Sequence, residues 1–313
     1  MLKGIVYSLS ACLIWGLIFV VPLFMEGFSP IEIALGRYFF YGALSSLIFI
    51  RGRWMGAFRF PISTWKKAFA YSFTATIGYY IFFVLSLRFA TPAITALILG
   101  ISPIAIALLG NWKEKEISYK TLIFPSLLLF AGLVIINFPH FTANDSLQLF
   151  LLGLICCLGA LFSWSWYVVA NSRFLKNNPQ VPSGDWSTAI GVATLFWVAL
   201  LGIFWACTQT SFEKFSSLTP MLSSFLIGSA TLGLLCSWVG AFLWNRACLY
   251  LSVSAAGQMT IFETIFGLIF VCILEKRLPP KLEFLGICLI LSSIILALSK
   301  MKPKLEKLKE EKN

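Results

Sequence analysis

GIVYSLSACLIWGLIFVVPLF, residues 4–24, runs from just after Lys3 to just before Met25-Glu26 without one charged side chain. A helix of that length rises about 31 Å, which matches the roughly 30 Å of hydrocarbon in a bilayer. The apolar part of a cleavable signal peptide is shorter and ends in small residues. This stretch ends in Met25-Glu26-Gly27-Phe28, so it reads as a first membrane span that stays on the chain.

The rest of the 313 residues repeats that pattern. Hydrophobic types make up 59% and charged types 12%, and the mean hydropathy is +0.87. A soluble domain carries about a quarter charged residues, so this chain has too little charge to cover a water-facing surface. It also has too much apolar surface to hide in one core. A soluble enzyme and a disordered chain are both excluded. Nine further apolar runs predict spans at 31–50, 68–88, 92–112, 119–137, 147–171, 186–207, 222–250, 253–274 and 282–299. Ser29-Pro30, the Arg51–Lys67 loop, Asn177-Asn178-Pro179, Thr219-Pro220 and Pro279-Pro280 separate most of them. Runs 68–112 and 222–274 each exceed one bilayer width and must turn, the first at Thr91-Pro92 and the second near Leu251–Val253.

The net charge of +11 would suggest nucleic acid in a soluble protein, but here the basic residues flank apolar runs and act as topogenic signals. With the N-terminus placed inside, 17 of the 24 Lys and Arg fall on the inner side and 5 on the outer. Arg37 and Arg246 lie within spans. That bias predicts both termini in the cytoplasm of a bacterial inner-membrane protein. The lysine-rich stretch 301–313 is read as a solvated cytoplasmic tail. The expected partners are a small-molecule substrate and membrane lipid, with no nucleic acid and no assigned oligomeric state.

All eight cysteines fall in apolar runs, and Cys156-Cys157 is not a CxxC motif. They read as small hydrophobes. The one histidine, His140, sits in a loop, so neither a metal site nor a cofactor is expected. No GxxxxGK[ST] is present, so transport would run on gradients rather than on ATP held by this chain.

The two halves resemble each other. A shift of 161 lays Asn111-Trp112-Lys113-Glu114-Lys115-Glu116 on Cys272-Ile273-Leu274-Glu275-Lys276-Arg277. A shift of 149 lays Ala11-Cys12-Leu13-Ile14-Trp15 on Ala160-Leu161-Phe162-Ser163-Trp164. Each half holds five spans, an odd number, so the second copy enters the membrane with opposite polarity. The predicted fold is all-α, ten transmembrane helices as two inverted five-helix repeats around a central cavity. The repeats occupy residues 1–140 and 141–300. Inverted repeats mark secondary transporters, with the substrate near the midplane between the halves.

These features resemble the drug/metabolite transporter superfamily with paired EamA-type domains. The resemblance rests on Trp15-Gly16 in the first span and on Pro30…Arg37 in the second. It rests also on the matched endings Ser102-Pro103…Lys113-Glu114 and Glu263-Thr264…Leu274-Glu275-Lys276-Arg277-Leu278. It covers residues 4–299. Thr264 stands where the second copy usually has Pro, so the resemblance carries no kink to that position. Trp244-Asn245…Val253…Phe262 and Gly159-Ala160…Asn171 are similar to the aromatic amino-acid exporter branch. The resemblance implies a ten-helix basket in which spans 1, 3, 4, 6, 8 and 9 surround the cavity and spans 5 and 10 are peripheral. It implies a carrier, not an enzyme.

Glu263 is the most informative residue. A carboxylate about ten residues into its span must face the interior or a water-filled cavity. It can bind a substrate amine, carry a coupling proton, gate, or serve as a structural group paired with Arg246 or Asn245. Asn245 can bind a carboxylate or hold helices together. Arg246 is close enough to its span's end to snorkel. Arg37 reads as a structural charge, with Glu26 or Glu32 as partner. Trp15, Tyr79, Tyr80, Trp164 and Trp244 fall mid-span or on repeat-related helices and suit an aromatic-walled ligand site. Trp15 and Trp164, mates across the repeat, should approach each other. Gly100…Pro103, Pro125 and Gly257 interrupt helices that would need to bend.

The function this supports is a gradient-driven carrier, an exporter of small amphipathic metabolites and of amino acids in the first place. Carriage of nucleotide-like or S-adenosyl metabolites and multidrug export are alternatives. A non-transporting membrane scaffold is the alternative of another class. An intramembrane enzyme would need a second midplane carboxylate or a histidine, and the spans offer neither.

Overall fold

The structure is a computed structural model, and it describes residues 2–54, 58–90, 92–114, 118–138, 147–209 and 212–310. Thr91, His140, the boundary between the two repeats and residues 311–313 lie outside them. Among the described residues there is no strand. Nine helical stretches are long and apolar enough to cross a membrane: Leu2–Phe24, Pro30–Trp54, Ile62–Phe89, Ile94–Trp112, Lys120–Asn137, Leu147–Asn177, Ser183–Thr208, Pro220–Tyr250 and Val253–Leu274. Helix Lys281–Glu310 follows as the tenth element. These are spans 1 to 10, in the order the sequence predicts.

The turn between spans 8 and 9 falls where expected. The helix ends at Tyr250, and Ser252 caps the next one, its hydroxyl accepting the Ala255 N–H at 3.1 Å. An unsatisfied N–H at a helix start is costly in lipid, so a serine placed there fixes the turn.

The packing obeys one exchange rule. Spans 5 and 10, 2 and 7, and 4 and 9 each pack against their own repeat mate. Span 3 packs on span 6, and its image, span 8, packs on span 1. Span 4 meets span 6 as span 9 meets span 1, and span 2 meets span 8 as span 7 meets span 3. Swapping n for n+5 therefore carries these neighbours into one another; the contact of span 6 with span 8 has no comparable image between spans 1 and 3. Backbone approaches repeat as well. A Cβ on Gly132 would sit 2.8 Å from the Gly286 carbonyl oxygen, and one on Gly286 would sit 2.8 Å from that of Gly132. Lipid tails supply no hydrophobic drive between helices, so small residues that let backbones touch do the fastening.

The interruptions are also paired. Span 4 is two helices, Pro92–Gly100 and Ser102–Glu114, and span 9 is two, Val253–Met259 and Ile261–Leu274. The shift of 161 places one break beside the other. Gly100 and Pro103 account for the first. The second needs no proline at Thr264. Thr260 ends the helix, its hydroxyl donating to the Gly257 carbonyl at 2.7 Å. Span 3 breaks at Thr76, between Ile62–Ala75 and Ile77–Phe89. Its mate, span 8, carries a π-helical turn over Leu232–Val239 at the matching depth. Pro125, expected to interrupt span 5, stays inside a continuous helix, Tyr119–Asn137. Pro125 withholds its N–H from the Thr121 carbonyl, and a helix tolerates one such lost bond when neighbours hold it; span 10 packs on it here, with Ser293 donating to the Pro125 carbonyl at 2.7 Å.

Candidate functional site

Three tryptophans meet where spans 1, 6 and 8 converge. Trp15 stands 6.3 Å from Trp164, ring centre to ring centre and nearly edge-on, and 5.4 Å from Trp244. The approach of the repeat mates Trp15 and Trp164 is the one the sequence predicts. Tyr79 of span 3 extends the cluster, 5.9 Å from Trp164, and Tyr167 adds to it at 5.6 Å. Trp164 and Tyr79 are half-buried, whereas Trp15 and Trp244 are only 7% and 1% exposed. Tyr80 faces elsewhere in use: its hydroxyl donates to the Pro30 carbonyl at the head of span 2.

The π-turn of span 8 organises this region. The Gly240 N–H reaches the carbonyls of Leu235 and Ser237, and the Cys236 carbonyl accepts the Trp15 indole N–H at 2.7 Å. The Cys236 thiol in turn donates to the Ile14 carbonyl at 3.3 Å. Single π-turns inside α-helices are frequent at functional sites. Nothing in the apolar run Leu232–Val239 announces a π-turn, so sequence reasoning missed both Cys236 and Ser237.

Ser237 binds Arg37. The Arg37 Nε–H donates to the Ser237 hydroxyl oxygen at 2.9 Å, and that hydroxyl donates to the Leu232 carbonyl at 3.1 Å. The guanidinium carbon lies 5.1 Å from the centre of the Tyr38 ring. Neither Glu26 nor Glu32 is its partner, which corrects the sequence expectation. Glu32 is occupied: it accepts the Ser29 N–H at 2.5 Å and lies 3.5 Å from Lys214. Ser29 and Glu32 form a reciprocal capping box at the start of span 2, since the Glu32 N–H reaches the Ser29 hydroxyl at 3.3 Å.

Glu263 sits in the first turn of Ile261–Leu274, half-buried. Among the described residues its carboxylate has no hydrogen-bond or ion-pair partner. Arg37 and Tyr79 lie within its electrostatic reach, as does Cys236. Span 1 presses close beside it. A Cβ on Gly16 would lie 3.1 Å from the Gly267 nitrogen, and the Cys12 thiol donates to the Met259 carbonyl at 3.3 Å.

Of the structural partners considered for Glu263, Asn245 is engaged elsewhere and Arg246 makes no ion pair with it among the described residues. Asn245 is fully buried. Its amide oxygen accepts from the Asn171 amide at 2.8 Å, and its amide nitrogen donates to the Ser187 hydroxyl at 2.8 Å. Trp186 Nε1–H completes the network on the Asn171 oxygen at 2.7 Å. The group ties spans 6, 7 and 8 together. Arg246 places its guanidinium 5.7 Å from the Tyr7 ring centre. Its Nε and the indole N–H of Trp244 are buried with no hydrogen-bond partner among the described residues.

The two ends of the bundle differ. At the far end, opposite Leu2, Lys214 donates to the Gly27 carbonyl at 2.9 Å and pairs with Glu32. Beneath it Phe28 stacks on Phe225 at 4.2 Å and meets Phe215 at 5.6 Å. The 7–8 loop is thus clasped to the 1–2 loop. At the near end a recess of about 300 Å³ opens between spans 4 and 6, lined by Leu109, Trp112, Trp166, Val169 and Arg173.

Among known proteins, the model of the EamA-like transporter family matches residues 2–138 and 151–299. The chain is 28% identical to Inner membrane protein YtfF of Escherichia coli (strain K12) over 317 residues, 97% of each chain. A solved crystal structure superposes with a TM-score of 0.77 over 96% of this chain and 98% of its own, at 17% identity, a likeness of fold alone. The two matched segments take in spans 1 to 5 and spans 6 to 10. With that match over most of its length, the chain belongs to the EamA-like transporter family: it is an integral membrane transporter, not an enzyme.

Proposed function

We propose that the chain is a gradient-driven exporter of small amphipathic metabolites, amino acids first among them, working by alternating access between its two repeats. The observation that carries this reading is Glu263. A half-buried carboxylate deep in a span, with no partner among the described residues, is costly unless something periodically neutralises it. A proton or a substrate amine does so. Tyr79, Trp164, Trp15 and Trp244 supply an aromatic wall beside it, which suits an amphipathic ligand. Tyr80, turned to the Pro30 carbonyl, stands apart from that wall. Asn245 is spent on helix contacts and supports the site rather than lining it. One guanidinium, set against a carboxylate, is too little positive charge for a multiply charged phosphate cargo.

The basic near end faces the cytoplasm of a bacterial inner membrane in this reading. The clasp of Lys214 on Gly27 and Glu32 then closes the outer side, and rocking of the halves opens it in turn.

The test is counterflow of a labelled amino-acid panel in liposomes holding the purified protein, with and without an imposed pH gradient. Uptake of an aromatic or aliphatic amino acid supports the reading. Loss of gradient-driven uptake with counterflow kept, in Glu263→Gln, makes Glu263 the coupling group. No uptake across the panel sinks the amino-acid assignment and turns the search to nucleotide-like and drug cargoes.

A further inference from the structure

Two opposite charges lie inside this bundle, each short of a partner. Arg37 uses its Nε on Ser237 and lays its guanidinium against Tyr38. Its two terminal nitrogens make no hydrogen bond or ion pair among the described residues. Glu263 makes none with its carboxylate. Both charges border the same stretch of span 1: Cys236, next to the Ser237 that holds Arg37, accepts the Trp15 indole N–H at 2.7 Å, and a Cβ on Gly16 would lie 3.1 Å from the nitrogen of Gly267, one turn beyond Glu263, yet no ion pair joins the two among the described residues. In a poorly screened interior, opposite charges attract strongly and move together unless something holds them apart.

The restraint is visible. A Cβ on Gly233 would sit 2.5 Å from the Arg37 carbonyl oxygen, so the missing side chain lets span 2 lie directly on the π-turn. That contact brings Ser237 to Arg37. The Ser237 hydroxyl is itself anchored on the Leu232 carbonyl five residues back, a spacing that the π-turn provides. Span 2 thus holds the cation on span 8 while span 9 holds the anion. Tyr79 is within electrostatic reach of both, which places the aromatic wall beside the gap.

We propose that Arg37 is the anion-binding pole of the site: its free guanidinium edge takes the substrate's carboxylate, opposite Glu263. The inference rests on the amphipathic-metabolite reading and adds a required chemical group to it. A guanidinium edge offers two parallel N–H donors matched to a carboxylate. A ligand with carboxylate and ammonium on one small framework then satisfies both poles. Its amide cannot satisfy the first.

The experiment compares acids with their amides. Purified full-length protein is titrated with L-phenylalanine and L-phenylalaninamide, and with 3-phenylpropionate and 3-phenylpropionamide, reading the rise in melting temperature. Competition against labelled amino-acid counterflow is read alongside. The parent should favour each acid over its amide by about tenfold or more, the usual weight of a hydrogen bond to a charged group. In Arg37→Gln that preference should vanish through weaker acid binding, with amide binding unchanged. Arg37→Lys should keep part of it, and Ser237→Ala, which frees the arginine, should reduce it.

A folded Arg37→Gln that loses acid and amide equally overturns the assignment and makes Arg37 a structural charge. If Arg37→Gln does not fold, equal loss in Arg37→Lys overturns it in the same way. A parent that prefers no acid over its amide also overturns it. A parent that responds to 3-phenylpropionate but to no amino acid keeps Arg37 as the anion pole and sinks the amino-acid reading alone.

Discussion

Trp15 and Trp164 are the same residue in two copies of one repeat, and they live differently. Trp15 is nearly sealed and bonded through its indole N–H to the Cys236 carbonyl. It fits because span 8 has Gly240 there; a Cβ at that position would collide with the indole ring. Trp164 meets span 3 at the matching place, but the shift of 161 puts Tyr79 where span 8 has Gly240. The second tryptophan rests against that ring and stays half-buried. The same divergence holds for the charges. Arg37 has Trp186 as its mate under the shift of 149, and Glu263 has Ser102 under the shift of 161. A near-symmetric frame therefore carries an asymmetric set of functional groups. Symmetry serves the two ends that must open alternately; asymmetry serves a ligand that has only one orientation.

The largest effect expected from disturbing that difference is at Glu263. Glu263→Gln should cut gradient-driven uptake by roughly a hundredfold or more, the scale of a lost proton-transfer group. Ser102→Ala, at the mate, should leave uptake within about twofold. Equal losses at the two positions would break the comparison.

Next come the overpacked variants. Gly240→Tyr copies the span 3 residue into span 8. It should destabilise the protein by about 1–3 kcal/mol, since no void waits for the ring. A melting temperature unchanged from the parent would show that Trp15 has room to move. Asn171→Ala and Asn245→Ala each strand a buried partner and should cost about 1–3 kcal/mol. Substrate affinity per folded molecule should hold; a drop in affinity without a drop in stability would return Asn245 to the ligand.

Trp15→Phe and Trp164→Phe sharpen the contrast. The first removes a buried hydrogen bond and should cost about 1 kcal/mol in stability. The second should leave stability nearly unchanged and weaken substrate affinity. The smallest effect belongs to Lys214→Ala. Lys214 is 47% exposed in its pair with Glu32, and such pairs contribute about 0–1 kcal/mol. A shift in the balance of outer-side accessibility, read by cysteine labelling at Phe215, would be its only sizeable sign.

The ten spans, their order and the repeat were legible because hydrocarbon thickness and backbone satisfaction leave few choices. The break in span 4 was legible through Gly100 and Pro103, and the far less obvious break in span 9 through Gly257. The meeting of Trp15 and Trp164 followed from the repeat alone. The π-turn was not legible, because an extra residue in an apolar helix leaves no compositional mark. The partner of Arg37 was misread for a different reason. Glu32 looked available by proximity along one helix, yet Ser29-Pro30-Ile31-Glu32 spells a capping box that already employs it. Asn245 kept two readings until Asn171 and Ser187, distant in the chain, were placed against it. Pro125 failed as a helix break because one missing ladder bond is tolerated where a neighbouring span packs closely, and the packing of span 10 on span 5 is not written in the local pattern.

The π-turn at Leu232–Val239 also acts as a rotational setting. Each residue in a helix turns the chain about 100°, and a π-turn carries about one residue more than the α-helical turns it replaces. Were the same residues to close as an ordinary α-helix, everything beyond them would swing by about that angle relative to the first part of the span. Trp244 would leave Trp15, and Asn245 would leave Asn171 and Ser187, although none of these side chains had been altered. The span therefore stores in its winding, not in any side chain, the phase that lets its two ends serve two different sets of neighbours.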